Sequence, residues 1–317
     1  MQNRNPNSLF GIDINEYSQG VDFQTLARTV DFLYLRASGS GSGSFRLDRR
    51  FIEFAQASRD FGIPVGAYHY ALPTTSLPAA RAQADDFIYA LQQGFGDDDF
   101  GDIFPVLDVE EPQDRSLTTT QLINWIDAFR ERFEEVTRRR LMLYTGAFFI
   151  DLYDNFYVPG EGFPLSNMPL WIAMYTRIPG NPPYPVDQGG WTRWTIWQFS
   201  DEGNVNGVDS PTDLNWGPDS IDELTPPRDV TGFRVFQDEN NLYLTWDPNT
   251  DSDIAGYNIF VNGVYAATLN KDRTTYVISK RRNNIPPGEV LTIAIEAFDT
   301  MGDFSDDRTV VQITTEN

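Results

Sequence analysis

The sequence predicts an α/β fold, a small (β/α) barrel, followed by a separate all-β sandwich. Three observations predict it. Through residue 217, short apolar runs of strand length alternate with helix-period segments on short connections, the pattern of a parallel α/β architecture. Several of those runs end in acidic or aromatic residues, and barrels gather their chemistry at the C-terminal ends of their strands. From residue 228 the helical pattern stops, and only short runs with turn signals remain. The plan is therefore a barrel over 1–217, a proline- and acid-rich linker over 218–227, and a sandwich over 228–317.

Taken in order, Leu9 to Ile14 reads as a strand ending near Asp13, and Asn15 to Gly20 as a polar loop. Asp22 is placed to cap a helix over Phe23 to Arg28. Phe32 to Ala37 is a second strand, running into Ser38-Gly39-Ser40-Gly41-Ser42-Gly43-Ser44. That run looks like a linker but comes too early to separate one domain from another, so a mobile loop at the barrel mouth is expected. Asp48 to Phe61 has helical period, with Phe51, Ile52, Phe54, Ala55 and Ser58 on one side. Gly62 to Tyr70 is a strand with an aromatic end, and Ala79 to Gln93 a helix. Ile103 to Pro112 is an apolar strand that ends in carboxylates. Thr118 to Arg138 is a long helix with Leu122, Trp125, Ile126, Phe129 and Phe133 on its apolar side. Leu141 to Thr145, Pro169 to Tyr175 and Trp194 to Phe199 supply further strands.

The chemistry centres on Asp108 and Glu110. Residues two apart on a strand share a face, so the two acids point the same way. Like charges raise one pKa, and the protonated member becomes a general acid near neutral pH, as glycosidic bond cleavage requires. Composition narrows the alternatives. There is no cysteine, which removes disulfides, thiol nucleophiles and thiolate metal sites. One histidine, His69, rules out a His-rich zinc site, and no metal or cofactor is expected. Acid–base work falls on Asp, Glu and Tyr. With 46 acidic against 24 basic residues, a net charge of −22, nucleic-acid binding is not expected. No apolar run approaches the ~20 residues of a membrane span, so no membrane insertion is expected.

The residues Gly11-Ile12-Asp13 with Gln19-Gly20, Gly66 to Tyr70, Val106 to Glu110, Leu143-Tyr144-Thr145, Leu170 to Tyr175, Trp197 to Ser200 and Asp213-Leu214-Asn215 occur in the order of a known family. Over Leu9 to Trp216 the chain resembles the glycoside hydrolase family 25 lysozymes, or muramidases, of phage endolysin type. The resemblance implies cleavage of the β-1,4 bond between N-acetylmuramic acid and N-acetylglucosamine in peptidoglycan. It makes Glu110 the proton donor. Asp108 becomes its partner, acting on the substrate acetamido group or the developing cation. Asp13 and Asp213 line the same pocket; Asp209 competes for the last position, and the following Leu214-Asn215 favours Asp213. Tyr68, His69, Tyr70, Tyr144, Trp171, Tyr175 and Gln198 become substrate-binding candidates. The rings among them are stacking platforms or core aromatics, and His69 takes at most a positioning role. The chain departs from the family in a first loop one residue longer and in a second strand ending Arg36-Ala37-Ser38-Gly39.

The polar N-terminus and the missing cysteines fit a phage lytic enzyme, released from the host cytoplasm at lysis or carried on the virion beside virion proteins. Two other readings stay open: another barrel glycosidase of chitinase type, and a virion-associated or wall-binding structural protein with an inactive barrel.

Beyond the linker, Leu242 to Trp246, Ile254 to Val261, Thr275 to Ile278 and Leu291 to Ala297 read as strands, and Asn262-Gly263 is a hairpin signal. This stretch resembles a fibronectin type III domain: Trp246 matches the core tryptophan, and Gly256-Tyr257 the third strand. Leu291 stands where that family has a corner tyrosine. Wall binding, spacing and docking are the roles open to it.

Overall fold

The computed structural model describes residues 1–41 and 43–316. The chain divides into two compact units, Met1–Leu224 and Thr225–Asn317.

In the first unit nine strands form one sheet: β1 (Phe10–Ile14), β2 (Phe32–Gly39), β3 (Arg46–Leu47), β4 (Val65–Tyr70), β5 (Val106–Asp108), β6 (Met142–Gly146), β7 (Leu170–Ala173), β8 (Ile196–Gly203) and β9 (Thr212–Trp216). Their order is β1-β9-β8-β7-β6-β5-β4-β2-β3, and β1 also pairs with β2, so eight strands close into a barrel and β3 hangs on β2. Neighbours are parallel from β1 through β2, β4, β5, β6 and β7 to β8. β9 is antiparallel to both β8 and β1 and seals the barrel. That strand does not stand out in the sequence, because Thr212-Asp213-Leu214-Asn215-Trp216 is mostly polar.

Five helices accompany the strands: α1 (Phe23–Leu26), α2 (Phe51–Asp60), α3 (Leu77–Phe95), α4 (Thr119–Thr137) and α5 (Ala147–Leu152). Asp22 caps α1 as expected, accepting from the Thr25 N–H. Thr118 and Gln121 form a reciprocal capping box that starts α4, satisfying donors that the first turn leaves free. Trp125, Ile126, Phe129 and Phe133 of α4 are fully buried, and Phe133 stacks on Phe87 of α3 at 5.4 Å. Ile52 corrects the sequence reading. It is 44 % exposed, because 100° per residue turns it away from the face that Phe51, Phe54, Ala55 and Ser58 bury.

Strand alternation sorts side chains into two layers. On β5, Leu107 and the following Val109 join the helix-facing core, whereas Asp108 points into the barrel with Val106. Gly11 illustrates the tightness of closure: a Cβ there would lie 2.3 Å from the Phe32 ring.

Two expected loops are more ordered than their composition implies. Ser38 and Gly39 belong to β2 and pair with Leu47 and Arg46 of β3, so the glycine–serine run begins as strand. Phe45, set edge-on to Tyr89 at 6.1 Å, anchors its far side. Ser42 lies outside the described residues. In the stretch read as linker, Ile221–Leu224 forms a 3₁₀ turn. Leu224 is buried and its carbonyl accepts from the Phe104 N–H, so the turn is part of the barrel unit.

The second unit is all-β. β10 (Arg234–Gln237), β11 (Asn241–Thr245) and β14 (Thr275–Ser279) form one antiparallel sheet. β12 (Ile254–Val261), β13 (Val264–Asn270), β15 (Val290–Asp299) and β16 (Thr309–Thr314) form the other. Asn262 and Gly263 make the β12–β13 turn with φ of 50° and 77°, the two positive angles that such a hairpin turn needs. Trp246 and Tyr257 meet edge to face at 5.4 Å in the core of this unit.

Candidate active site

A trough of about 260 Å³ opens where the parallel strands end. It is lined by Asp13, Asn15, Arg36, Tyr68, Tyr70, Asp108, Glu110, Tyr144, Trp171, Tyr175, Gln198 and Asp213. Acids far apart in the chain meet there for simple reasons. Asp13 is near the end of β1, Asp108 ends β5, and Glu110 continues the inward period two residues on. β9 runs the other way, so its first residues lie at the same mouth, and Asp213 pairs directly with Asp13.

One hydrogen-bonded network fixes the floor. The Tyr144 and Tyr175 hydroxyls both donate to Gln198 Oε1, at 2.9 and 2.8 Å. Gln198 Nε2 donates to Asp13 Oδ2 at 3.0 Å, and Asn215 Nδ2 to the same oxygen at 2.8 Å. Trp171 Nε1 donates to Asn215 Oδ1 at 2.8 Å. Both amides are thereby oriented. The Trp171 ring packs on Tyr34 at 4.6 Å and edge-on to Tyr144 at 5.0 Å, so the wall behind the acids is rigid.

Burial dominates the electrostatics. It raises Asp108 well above the usual carboxylate range, and the charges of Glu110 and Asp13 add to the effect. Asp108 Oδ1 is buried without a hydrogen-bond partner. Burial also raises Glu110, with Glu111 and Asp13 contributing. Asp13 is raised by burial against the hydrogen bonds from Asn215, Gln198 and Asp213 that favour its charge. Burial and the adjacent Asp13 push Asp213 up to about 9. The two amide donors favour charge on Asp13, which leaves the proton of the pair on Asp213. Such a cluster retains protons at neutral pH and titrates as a set.

Of the residues singled out in the sequence, Glu110, Asp108, Asp13, Asp213, Tyr68, Tyr70, Tyr144, Trp171, Tyr175 and Gln198 all line this trough. His69 does not. Alternation on β4 sends Tyr68 and Tyr70 inward and His69 outward, where it is fully buried and stacks on Phe129 at 5.9 Å. Its Nδ1 hydrogen-bonds Ser38 Oγ at 2.8 Å, and burial pushes its pKa down to about 4. Asp209 is exposed and sits by the Gln19–Gly20 turn, outside the lining. Arg36, Asn15 and Asn215 went unrecognised as site residues. Asn215 was legible, since it shares a face of β9 with Asp213, and Arg36 shares an inward face of β2 with Tyr34. Among the described residues, no three or more His, Cys, Asp or Glu side chains are grouped to hold a metal ion.

A closed barrel with paired carboxylates and aromatic walls at its C-terminal mouth defines the class: a carboxylate-dependent glycosidase. The description "Glycosyl hydrolases family 25" matches residues 12–208. The chain belongs to this family and is a glycoside hydrolase of the lysozyme, or muramidase, kind. It is 29% identical to lysozyme M1 of Streptomyces globisporus over 210 residues, 65% of this chain and 66% of that protein. It is 30% identical to an N,O-diacetylmuramidase of Arthroderma benhamiae over 199 residues, 61% of this chain and 77% of that protein. Among solved structures, the spore cortex lytic enzyme SleM of Clostridium perfringens is similar at 60% identity and a TM-score of 0.94, covering 99% of this chain and 100% of that one.

Proposed function

We propose that this hydrolase cleaves the β-1,4 bond between N-acetylmuramic acid and N-acetylglucosamine in bacterial peptidoglycan, with Glu110 as general acid. What carries the reading is four carboxyls sharing one sugar-sized trough whose burial keeps protons on some of them. Glu110, half-buried at the mouth, protonates the leaving oxygen. Asp108, with an oxygen that no protein group satisfies, receives the N–H of the acetamido group or the positive charge developing at the anomeric carbon. Asp13 and Asp213 share a proton behind them and set the field of the site. Tyr68, Tyr70 and Trp171 shape the sugar-binding wall. The test is release of reducing ends from purified sacculi: wild type releases them, and a Glu110→Gln variant binds the wall without cutting it. Wild type that cuts chitin and spares peptidoglycan would shift the reading to a chitinase-type enzyme.

The likeness to a spore cortex enzyme extends through the second unit, and it supports cortex peptidoglycan as the wall acted on. Faster release of muropeptides from isolated cortex than from vegetative sacculi is the expected result. The phage reading keeps the same chemistry and differs in how the protein reaches the wall; its test is detection in purified virions. For the second unit, the three- and four-stranded antiparallel sheets around Trp246 support a fibronectin type III-like sandwich serving as spacer or wall-binding module.

A further inference from the structure

A second cavity, also of about 260 Å³, adjoins the trough and shares Arg36 and Tyr70 with it. Its other lining residues are Ser38, Gly39, Gly41, Arg46 and Asp48. The geometry points to this annex as a carboxylate-binding subsite, taking an acidic group on the side chain that the muramoyl sugar carries at its 3-oxygen. The inference rests on the muramidase reading.

Charge is the first argument. The trough holds four carboxyls and one cation, Arg36. Around the annex, three guanidiniums, those of Arg36, Arg46 and Arg49, are set against two carboxylates, Glu16 and Asp48. This net positive spot lies in a chain of net charge −22. Unused donors are the second. Arg36 Nε is held by Asp48 Oδ2 at 3.0 Å, but its Nη2 is buried without a hydrogen bond, and Glu16 Oε1 is 3.7 Å away. Arg46 Nη1 is ion-paired with Glu16 Oε1 at 2.6 Å, and its side chain is half exposed. A carboxylate entering the annex takes a charge-assisted bond from Arg46 and lies in the field of Arg36, whose Nη2 is itself closed to solvent. Shape is the third. The annex wall is glycine where it passes Tyr70, and a Cβ on Gly41 would come within 2.9 Å of that ring. Arg36 and Tyr70 line both cavities, which sets a sugar seated in the trough next to the annex and its guanidiniums.

Two sources of carboxylate exist on such a substrate: the lactyl group itself, where the peptide has been removed, and the stem peptide. The experiment separates them. Glycan stripped of peptides by an amidase carries lactyl carboxylates, whereas intact stems carry peptide carboxylates on a lactyl amide. Each is compared with its carbodiimide–ammonia amidated form, and kcat/KM is read from reducing ends. Wild type is expected to lose about tenfold on amidation of whichever carboxylate the annex takes. Arg46→Gln abolishes that preference, and Arg46→Lys keeps some of it. The expected sign opposes the overall charge, since amidation lowers repulsion from an acidic protein. Equal wild-type rates on charged and amidated glycans overturn the inference, and so does an Arg46→Gln loss by the same factor on both. Should Arg46→Gln fail to fold, the wild-type comparison decides alone. No reducing ends from any substrate would overturn the muramidase reading as well, which distinguishes the two failures.

Discussion

At the scale of single residues, Glu110 and Asn215 carry the sharpest consequences. On the proposed mechanism Glu110 acts in its protonated form, and burial with nearby Glu111 and Asp13 raises its pKa. Activity therefore declines as pH climbs through that raised value, and the alkaline limb of kcat/KM lies above the ~4.3 of a free glutamic acid. Glu110→Gln is expected to lower kcat by about 10²–10⁴-fold without lowering the melting temperature. Reducing-end release and circular dichroism check the two halves of that statement. Asn215 reaches no substrate, yet it donates to Asp13 and accepts from Trp171. Asn215→Leu strands a buried indole N–H and removes one of Asp13's two amide donors. It should cost about 1–3 kcal/mol in denaturant unfolding and also move the pH–rate profile. Part of the site was legible from the residues, because Asp108 and Glu110, and Tyr68 and Tyr70, stand two apart at strand ends, whereas Trp171, Gln198 and Asp213 came from the family resemblance. Arg36 escaped notice because alternation gives its face of β2 but not the carboxyls that other strands bring to it. His69, given at most a positioning role, does not line the trough, because strict alternation along β4 turns it away from the side of Tyr68 and Tyr70.

At the scale of elements, apolar period revealed every parallel strand and the longer helices, since each buries a face large enough to leave a pattern. It did not reveal β3, two residues long, or β9, whose polar residues are satisfied by partners across the sheet: Asn215 by Trp171, and Asp213 by Asp13. Asp22 is a helix cap that the sequence named, and the structure adds the box that opens α4. Thr118 accepts from the Gln121 N–H at 3.2 Å while Gln121 Oε1 accepts from the Thr118 N–H at 2.9 Å. Thr118→Ala removes one arm of this box and is expected to cost about 1 kcal/mol of stability, read as a shifted denaturant midpoint with an unchanged slope. α4 carries Trp125 and Phe129, and Phe129 backs β4 through His69, so fraying at its start is felt behind the trough wall.

At the scale of the whole molecule, the two units carry separate cores and separate buried titrating groups, and their pH dependences differ in range. In the barrel unit, the raised pKa values of Asp13, Asp108, Glu110 and Asp213 mean that the folded form holds protons which the unfolded chain has released. That contribution is full at low pH and is lost as pH rises from the ordinary carboxylate range, with Asp213 extending the loss to about 9. His69 acts in the opposite direction. Burial lowers it to about 4, so its contribution is present above the unfolded value near 6.5 and is lost as pH falls toward 4. In the second unit, burial, with Asp303 and Asp253 adding to it, pushes Asp299 up to about 7 in spite of backbone hydrogen bonds from Asp303 and Met301. Its stabilising share is therefore lost between about pH 4 and 7. Produced as separate pieces, Met1–Leu224 and Thr225–Asn317 should respond differently to alkali. The barrel piece keeps losing stability between pH 7 and 9, whereas Asp299 leaves the second piece little to lose there. Asp213→Asn flattens the first slope, and Asp299→Asn flattens the fall of the second piece between pH 4 and 7. Calorimetric scans at pH 5, 7 and 9 read all four, and a barrel piece whose melting temperature is level from pH 7 to 9 would mean that Asp213 has already lost its proton at neutral pH.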